Sequence, residues 1–187
     1  GGDENARDYL VTGCRDLEHT VKPGGSTIHV EHARGLKNVI IENNQCRKSI
    51  LAGGVDGMII RGNTVEGRIV GNGNTNLVIE GNILRAGESA SNAMQLGYCK
   101  DLIIRGNVIS GENAANKVGI YVWGTSRYND QPGENVIISE NQIEARMTGV
   151  SLNGTTNVQI ANNLLTLDEE PVPLLVKRTE KLVSDIE

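Results

Sequence analysis

One pattern of apolar and polar positions recurs along this chain. Its clearest copy is Asn135-Val136-Ile137-Ile138-Ser139-Glu140-Asn141, and others begin at Asn38, Gly57, Asn76, Asp101 and Asn157. The rule is Asn, Asp or Gly, then three mostly aliphatic residues, one polar residue, a turn residue and a closing Asn. The closing Asn falls at 44, 63, 82, 107, 141 and 163, so the spacings are 19, 19, 25, 34 and 22. A period near 20 residues marks a solenoid. Three aliphatic residues are too few for a helix and enough for a short strand. The residue before the closing Asn is Asn, Gly, Gly, Gly, Glu and Asn in turn, a composition suited to φ > 0. Short apolar runs follow it, such as Thr64-Val65 and Ile83-Leu84, and a third run closes the repeat, as in Gly119-Ile120-Tyr121-Val122. Three short strands per repeat predict an all-β fold: a single right-handed parallel β-helix of about seven to eight rungs, stacked roughly 4.8 Å apart.

The closing Asn sits at a bend, where backbone amides leave the ladder and need partners. A primary amide both donates and accepts. Asn44, Asn63, Asn82, Asn107, Asn141 and Asn163 are therefore expected to stack as a buried amide ladder, each donating to one neighbouring rung and accepting from the other. The alternative is that Asn serves only as a turn former.

The repeat divides the chain. Residues 1–25 read as an irregular first rung, in which Cys14 stands where the ladder Asn is expected. Residues 26–167 read as the β-helix proper. Residues 168–187 read as an irregular last rung or the start of a further segment. The 19-residue rungs leave no long loop, whereas three insertions appear after residue 86: 86–92, 111–117 and 123–134. The start at Gly1-Gly2-Asp3, without Met, reads as a domain cut from a longer protein.

Two outward columns follow from strand alternation. Glu42, Arg61, Glu80, Arg105, Ser139 and Ala161 would place opposite charges on neighbouring rungs. Ile40, Ile59, Val78, Ile103 and Ile137 would form an outward aliphatic stripe, larger than monomers usually expose. Either a further segment of chain covers the stripe, or it is a subunit interface; a homo-oligomer, a trimer by preference, is the expectation.

The N-V-I-I-x-x-N repeat resembles that of the pectin lyase-like superfamily of right-handed parallel β-helices, over about residues 26–167. That resemblance implies the fold; because the superfamily holds lyases, hydrolases, epimerases, phage tailspikes and non-catalytic proteins, it does not imply one activity.

Composition narrows the partners. A net charge of −5 and a pI near 5.3 argue against nucleic acid or an anionic membrane. No apolar run is long enough to span a bilayer and no signal peptide is visible, so the chain stays inside cells or has lost a leader. A virion or cell-surface appendage is the expected location. Cys14, Cys46 and Cys99 lack metal or disulfide spacing, and His19, His29 and His32 are scattered, so neither metal nor other cofactor is expected. Cys46 reads as a small core residue.

Four of the five aromatics lie between residues 98 and 128. Tyr98, Tyr121, Trp123 and Tyr128, with Gln95 and Arg127 and further polar groups at Asn129 and Asp130, form a candidate sugar-binding set. Stacking rings would take the C–H faces of a sugar and the polar groups its hydroxyls. His29, Gln95, Tyr121 and Ser151 would extend this as a polar strip along the helix axis. The competing reading is that the rings merely pack on the wall. Glycoside hydrolysis needs two carboxyl groups; Glu112 and Asp130, with Glu88 third, are the candidates, though none stands in a motif. The Asn-Thr-Asp and Asp-Asp pairs of polygalacturonases, the Asp-Pro-His-Glu of alginate epimerases and a pectate-lyase acidic cluster are all absent. The reading is a polysaccharide-binding segment of a larger spike or surface protein, similar to tailspikes and depolymerising if the carboxylates act. A monomeric polysaccharide lyase or epimerase, and a non-catalytic structural solenoid, are the alternatives.

Overall fold

The computed structural model describes residues 6–16, 25–30, 35–85, 92–110, 117–124, 131–168 and 171–186. Among them there is no helix, and the strands form three parallel sheets, as a β-helix requires. The first sheet has eight strands: Arg7–Thr12, Lys37–Glu42, Asp56–Arg61, Thr75–Glu80, Lys100–Arg105, Gly133–Ser139, Thr155–Ala161 and Glu180–Ser184. The second is narrower, with six strands from Gln45–Cys46 to Leu164–Leu167. The third has seven, from Ser26–Val30 to Val172–Lys177. Regular pairing reaches beyond 26–167 at both ends: Leu10 pairs with Ile40, and Leu182 with Val158.

Alternation along the first sheet sorts its side chains. Val39, Met58, Leu77, Leu102, Val136 and Val158 stack in one inward column, and Ile41, Ile60, Ile79, Ile104, Ile138 and Ile160 in another. All twelve are at most 2% exposed. Each such burial contributes about 1.5–3 kcal/mol, an upper figure because the unfolded chain already hides some area. Like residues stacked rung on rung fill a narrow interior without Phe.

The bend after the first sheet is the expected one. Asn43, Gly62, Gly81, Gly106, Glu140 and Asn162 have φ between 54° and 60°. The next residue builds the ladder. The Nδ2 of Asn44, Asn63, Asn82, Asn107 and Asn141 each donates to the Oδ1 of the next Asn at 2.9–3.0 Å. The direction differs in detail from the expectation. Each amide nitrogen donates both ways, as Asn63 does to the Ile41 carbonyl behind and Asn82 ahead, both at 3.0 Å. From Asn63 onward each Oδ1 takes two donors from the preceding Asn, its side chain and its backbone N–H. The Cys14 backbone N–H donates to Asn44 Oδ1 at 2.9 Å, so Cys14 does occupy the ladder position.

Two features were not foreseen. The first residue of the repeat also has positive φ: Asn38, Gly57, Asn76, Asp101, Asn135 and Asn157 lie between 53° and 75°. Strand register skips this residue, passing from Lys37–Asp56 to Val39–Met58. Its side chain lies outside and makes a second set of rung-to-rung bonds. Asn38 donates to Asp8 at 2.9 Å, Asn76 to Asp56 at 2.8 Å, Asn135 to Asp101 at 2.7 Å and Asn157 to Asn135 at 2.7 Å. The bend after the third sheet also holds a buried amide. Asn74, 1% exposed, accepts from the Val55 N–H at 3.0 Å and donates to the Ala52 carbonyl at 3.1 Å.

Candidate functional site

Of the candidate sugar-binding residues, Gln95, Tyr121 and Trp123 lie on strands of the third sheet and Tyr98 just past one, at the bend that follows, where Asn74 and Cys99 also sit. The outward side chains of this sheet form two columns. The first runs His29, Leu51, Val70, Gln95, Tyr121, Ser151, Leu175. The expected continuous polar strip is therefore corrected: Leu51 and Val70 separate His29 from the rest, and Ser151 is only 6% exposed. What remains open and polar is Gln95 beside Tyr121. The second column runs Gly53, Asn72, Gly97, Trp123, Asn153, Lys177.

Gly97 is the seat of this site. A Cβ there would fall 2.5 Å from Trp123 Cε2, 2.6 Å from its Cζ2 and 2.7 Å from Asn72 Oδ1. Only glycine lets the indole come down onto the wall. Tyr98, the next residue, turns out of the strand with φ 52° and sets its ring against Trp123, centroids 4.4 Å apart and planes at 66°. Such an edge-to-face pair contributes about 0.5–1.5 kcal/mol beyond its area. The structure thus brings together Gln95, Tyr98, Tyr121 and Trp123. Arg127, Tyr128, Glu88, Glu112 and Asp130 lie outside the described residues.

Around Gly97 two polar atoms have no partner. The Trp123 Nε1–H and the Asn72 Oδ1 are both buried and unbonded. Each such group costs about 1–3 kcal/mol. One is a donor and the other an acceptor, and both border the space that a Gly97 side chain would take. Neither is open to solvent while the indole lies on Gly97; once the ring lifts, a hydroxyl can accept from the first and donate to the second. Asn72 was not singled out by sequence reasoning; its only signal is its place one rung before Gly97 in the Trp123 column.

The thiols lie elsewhere. Cys46 is 2% exposed inside the barrel, as expected of a core residue, and Cys99 is fully buried at the bend beside Asn74. Burial pushes both thiols up to about 11, with Asp16 and Cys14 adding to the effect at Cys46. Cys99 Sγ donates to the Gly97 carbonyl at 3.4 Å. Among the described residues no three His, Cys, Asp or Glu side chains converge as a metal site.

Comparison with curated proteins and with solved structures gave no match. A family model described as "Periplasmic copper-binding protein (NosD)" matches residues 7–173, nearly the whole wall from its first strand to the last strand of the third sheet, and the chain belongs to that family.

Proposed function

We propose that this chain is an extracytoplasmic β-helix module that holds a linear polysaccharide against the outer face of its third sheet. Gln95, Tyr98, Tyr121 and Trp123 are the contact residues, with Asn72 beneath them. The observation that carries this reading is the unspent pair of polar atoms at Gly97, the Trp123 N–H and the Asn72 Oδ1. The indole closes them off from solvent, so binding requires it to lift from Gly97; a sugar hydroxyl then accepts from the first and donates to the second while the rings offer C–H stacking. The location follows the family's description as periplasmic. The likeness to phage tailspikes rests on the repeat alone.

Copper, which the family's description names, needs soft thiolate or thioether sulfur, or imidazole. The described residues of this chain do not fit it. Cys46 and Cys99 are buried in the wall at 2% and 0% exposure, and Met58 and Met94 are spent in the core at 0% exposure. Cys14 and Met147 are exposed, but on rungs far apart, and although Cys14 and His29 border one cleft, no third such ligand joins them among the described residues. No step of the proposed function passes through a metal.

The test is a titration of Trp123 emission with a panel of bacterial and plant oligosaccharides. Because Trp123 is the sole Trp, any shift reports this site. Asn72→Ala should weaken binding about tenfold, the equivalent of one lost hydrogen bond at roughly 1.4 kcal/mol. It should not lower thermal stability and should raise it, since it removes a buried acceptor that bonds nothing within the chain. A Trp123→Ala variant that loses stability but keeps full affinity would return the ring to a packing role. If a bound glycan is also cleaved, Glu112→Gln, Asp130→Asn and Glu88→Gln ask which carboxyl group acts. Binding without cleavage makes the module a receptor.

A further inference from the structure

The outer face of the first sheet carries three columns whose composition is ordered along the helix axis. The middle column is Leu10, Ile40, Ile59, Val78, Ile103 and Ile137, in register rung by rung, with Gln159 ending it. Leu10 is 57% exposed and Ile137 38%. One flank is the column Glu42, Arg61, Glu80, Arg105. Arg61 pairs with Glu42 at 2.7 Å and Arg105 with Glu80 at 2.6 Å. The other flank is the amide and carboxylate column Asp8, Asn38, Gly57, Asn76, Asp101, Asn135. Between it and the stripe lies a groove of about 270 Å³ lined by Asn76, Val78, Asp101, Ile103, Asn135 and Ile137.

We infer that this face docks a second copy of the same chain, about a two-fold axis that runs parallel to the strands and passes between the Ile59 and Val78 rungs. Such an axis keeps each column facing its own kind and reverses the order of rungs. The charged column reads minus, plus, minus, plus, so reversal sets every charge against its opposite. Glu42 meets the partner's Arg105, and Arg61 meets the partner's Glu80. The same axis sets Ile40 on the partner's Ile103, Ile59 on the partner's Val78 and Leu10 on the partner's Ile137. On the far flank Asp8 meets the partner's Asn135 and Asn38 meets the partner's Asp101. One axis position centres all three columns. Moving it by half a rung sets like charges together, and moving it by one rung halves the number of opposite pairs and either sets Gln159 and Val183 against the stripe or leaves Ile103 and Ile137 unopposed.

A face-to-face isologous contact of this kind closes as a dimer, whereas a trimer needs two different surfaces. Six rungs about 4.8 Å apart and some five residues wide cover roughly 500 Å² per copy, or about 1,000 Å² in all, the low end for a specific interface. Dimerisation should therefore depend on concentration. One like pair remains: Lys37 faces the partner's Lys100, which Glu134 of its own chain holds at 3.4 Å.

A charge-reversal cycle tests the assignment, with light scattering and sedimentation over a concentration series and circular dichroism to verify the fold. The parent should be a dimer. Glu42→Arg and Arg105→Glu, each of which creates two like-charge contacts by symmetry, should each weaken it by on the order of tenfold or more. The double variant restores the pairing across the interface, though not within each chain, and should recover most of the affinity. Lys37→Glu removes the one repulsion and should tighten the dimer. A parent that is monomeric throughout, or trimeric, overturns the inference. So does a double variant no better than the singles, because intrachain pairing alone predicts additive loss.

Discussion

Two columns of asparagine climb this molecule side by side at the same rise per rung, and they do different work. In the ladder at the bend, Asn44, Asn63, Asn82, Asn107 and Asn141 are at most 2% exposed. On the outer face Asn38, Asn76, Asn135 and Asn157 make amide bonds as short or shorter, 2.7–2.9 Å, yet stand in solvent. Geometry does not separate them. What separates them is the alternative open to a broken bond: water on the outer face, nothing in the wall. The outer amides are selected for backbone shape, since each sits at a positive φ that Asn, Asp and Gly tolerate.

The strongest way to expose this contrast is Asn107→Ala. It strands the Asn82 backbone N–H and one Asn82 side-chain N–H, and takes the side-chain donor from the Ile79 carbonyl and from Asn141 Oδ1, which keeps only the residue-107 backbone N–H. The expected loss is roughly 3 kcal/mol, or about 6–12 °C in Tm. Equal denaturation midpoints for parent and variant would remove the ladder's energetic role.

The same inside-and-outside contrast holds for thiols. Burial raises Cys46 and Cys99 from 9.0 to about 11, so the folded chain keeps protons that the unfolded chain releases. Their contribution is fully present below pH 9 and is lost as pH rises from 9 towards 11. Urea midpoints should fall across that window. At pH 8 a thiol reagent should modify exposed Cys14 quickly, and the other two only after denaturation.

Cys14→Asn asks whether the ladder can grow. Cys14 already donates its backbone N–H to Asn44 Oδ1, so an amide in its place adds a side-chain bond and should stabilise by roughly 1 kcal/mol. Asn135→Gly is the smallest expected effect. It removes two exposed bonds, to Asp101 and from Asn157, but keeps the positive φ, and should change stability by less than about 0.5 kcal/mol. A loss as large as that of Asn107→Ala would make the two columns equivalent after all.

The buried ladder was legible because its Asn recurs at one offset from an aliphatic triplet, and repetition is what a sequence displays best. The outward stripe and the charged column were legible for the same reason. The outer amide column was not: its Asn, Asp and Gly residues stood in the repeat rule as a boundary, and only the register skip between Lys37 and Val39 reveals the bulge. Asn74 had no repetition to betray it, since its column reads Val55, Asn74, Cys99. At the site, the aromatic cluster could be read from density along the chain. The seat at Gly97 could not, because a glycine before a bend reads as turn chemistry rather than as room for the indole of the next rung.

One corner of the solenoid never varies. Among the described residues, every connection between the first and second sheets is two residues long, whereas the longer separations in sequence fall between strands at the other corners. This makes length a discrete quantity. Excising residues 45–63 joins Asn44 to Thr64 and removes one 19-residue turn, with the Asn82 amide then next in line for Asn44. Such a protein can grow or shrink by duplication and loss of whole turns, like a stack of coins, while each surviving coin keeps both neighbours. The outer face is less forgiving of the same arithmetic. Losing that one turn takes Arg61 with it and leaves Glu42, Glu80 and Arg105, two like charges on neighbouring rungs and a column that no longer mirrors into its opposite.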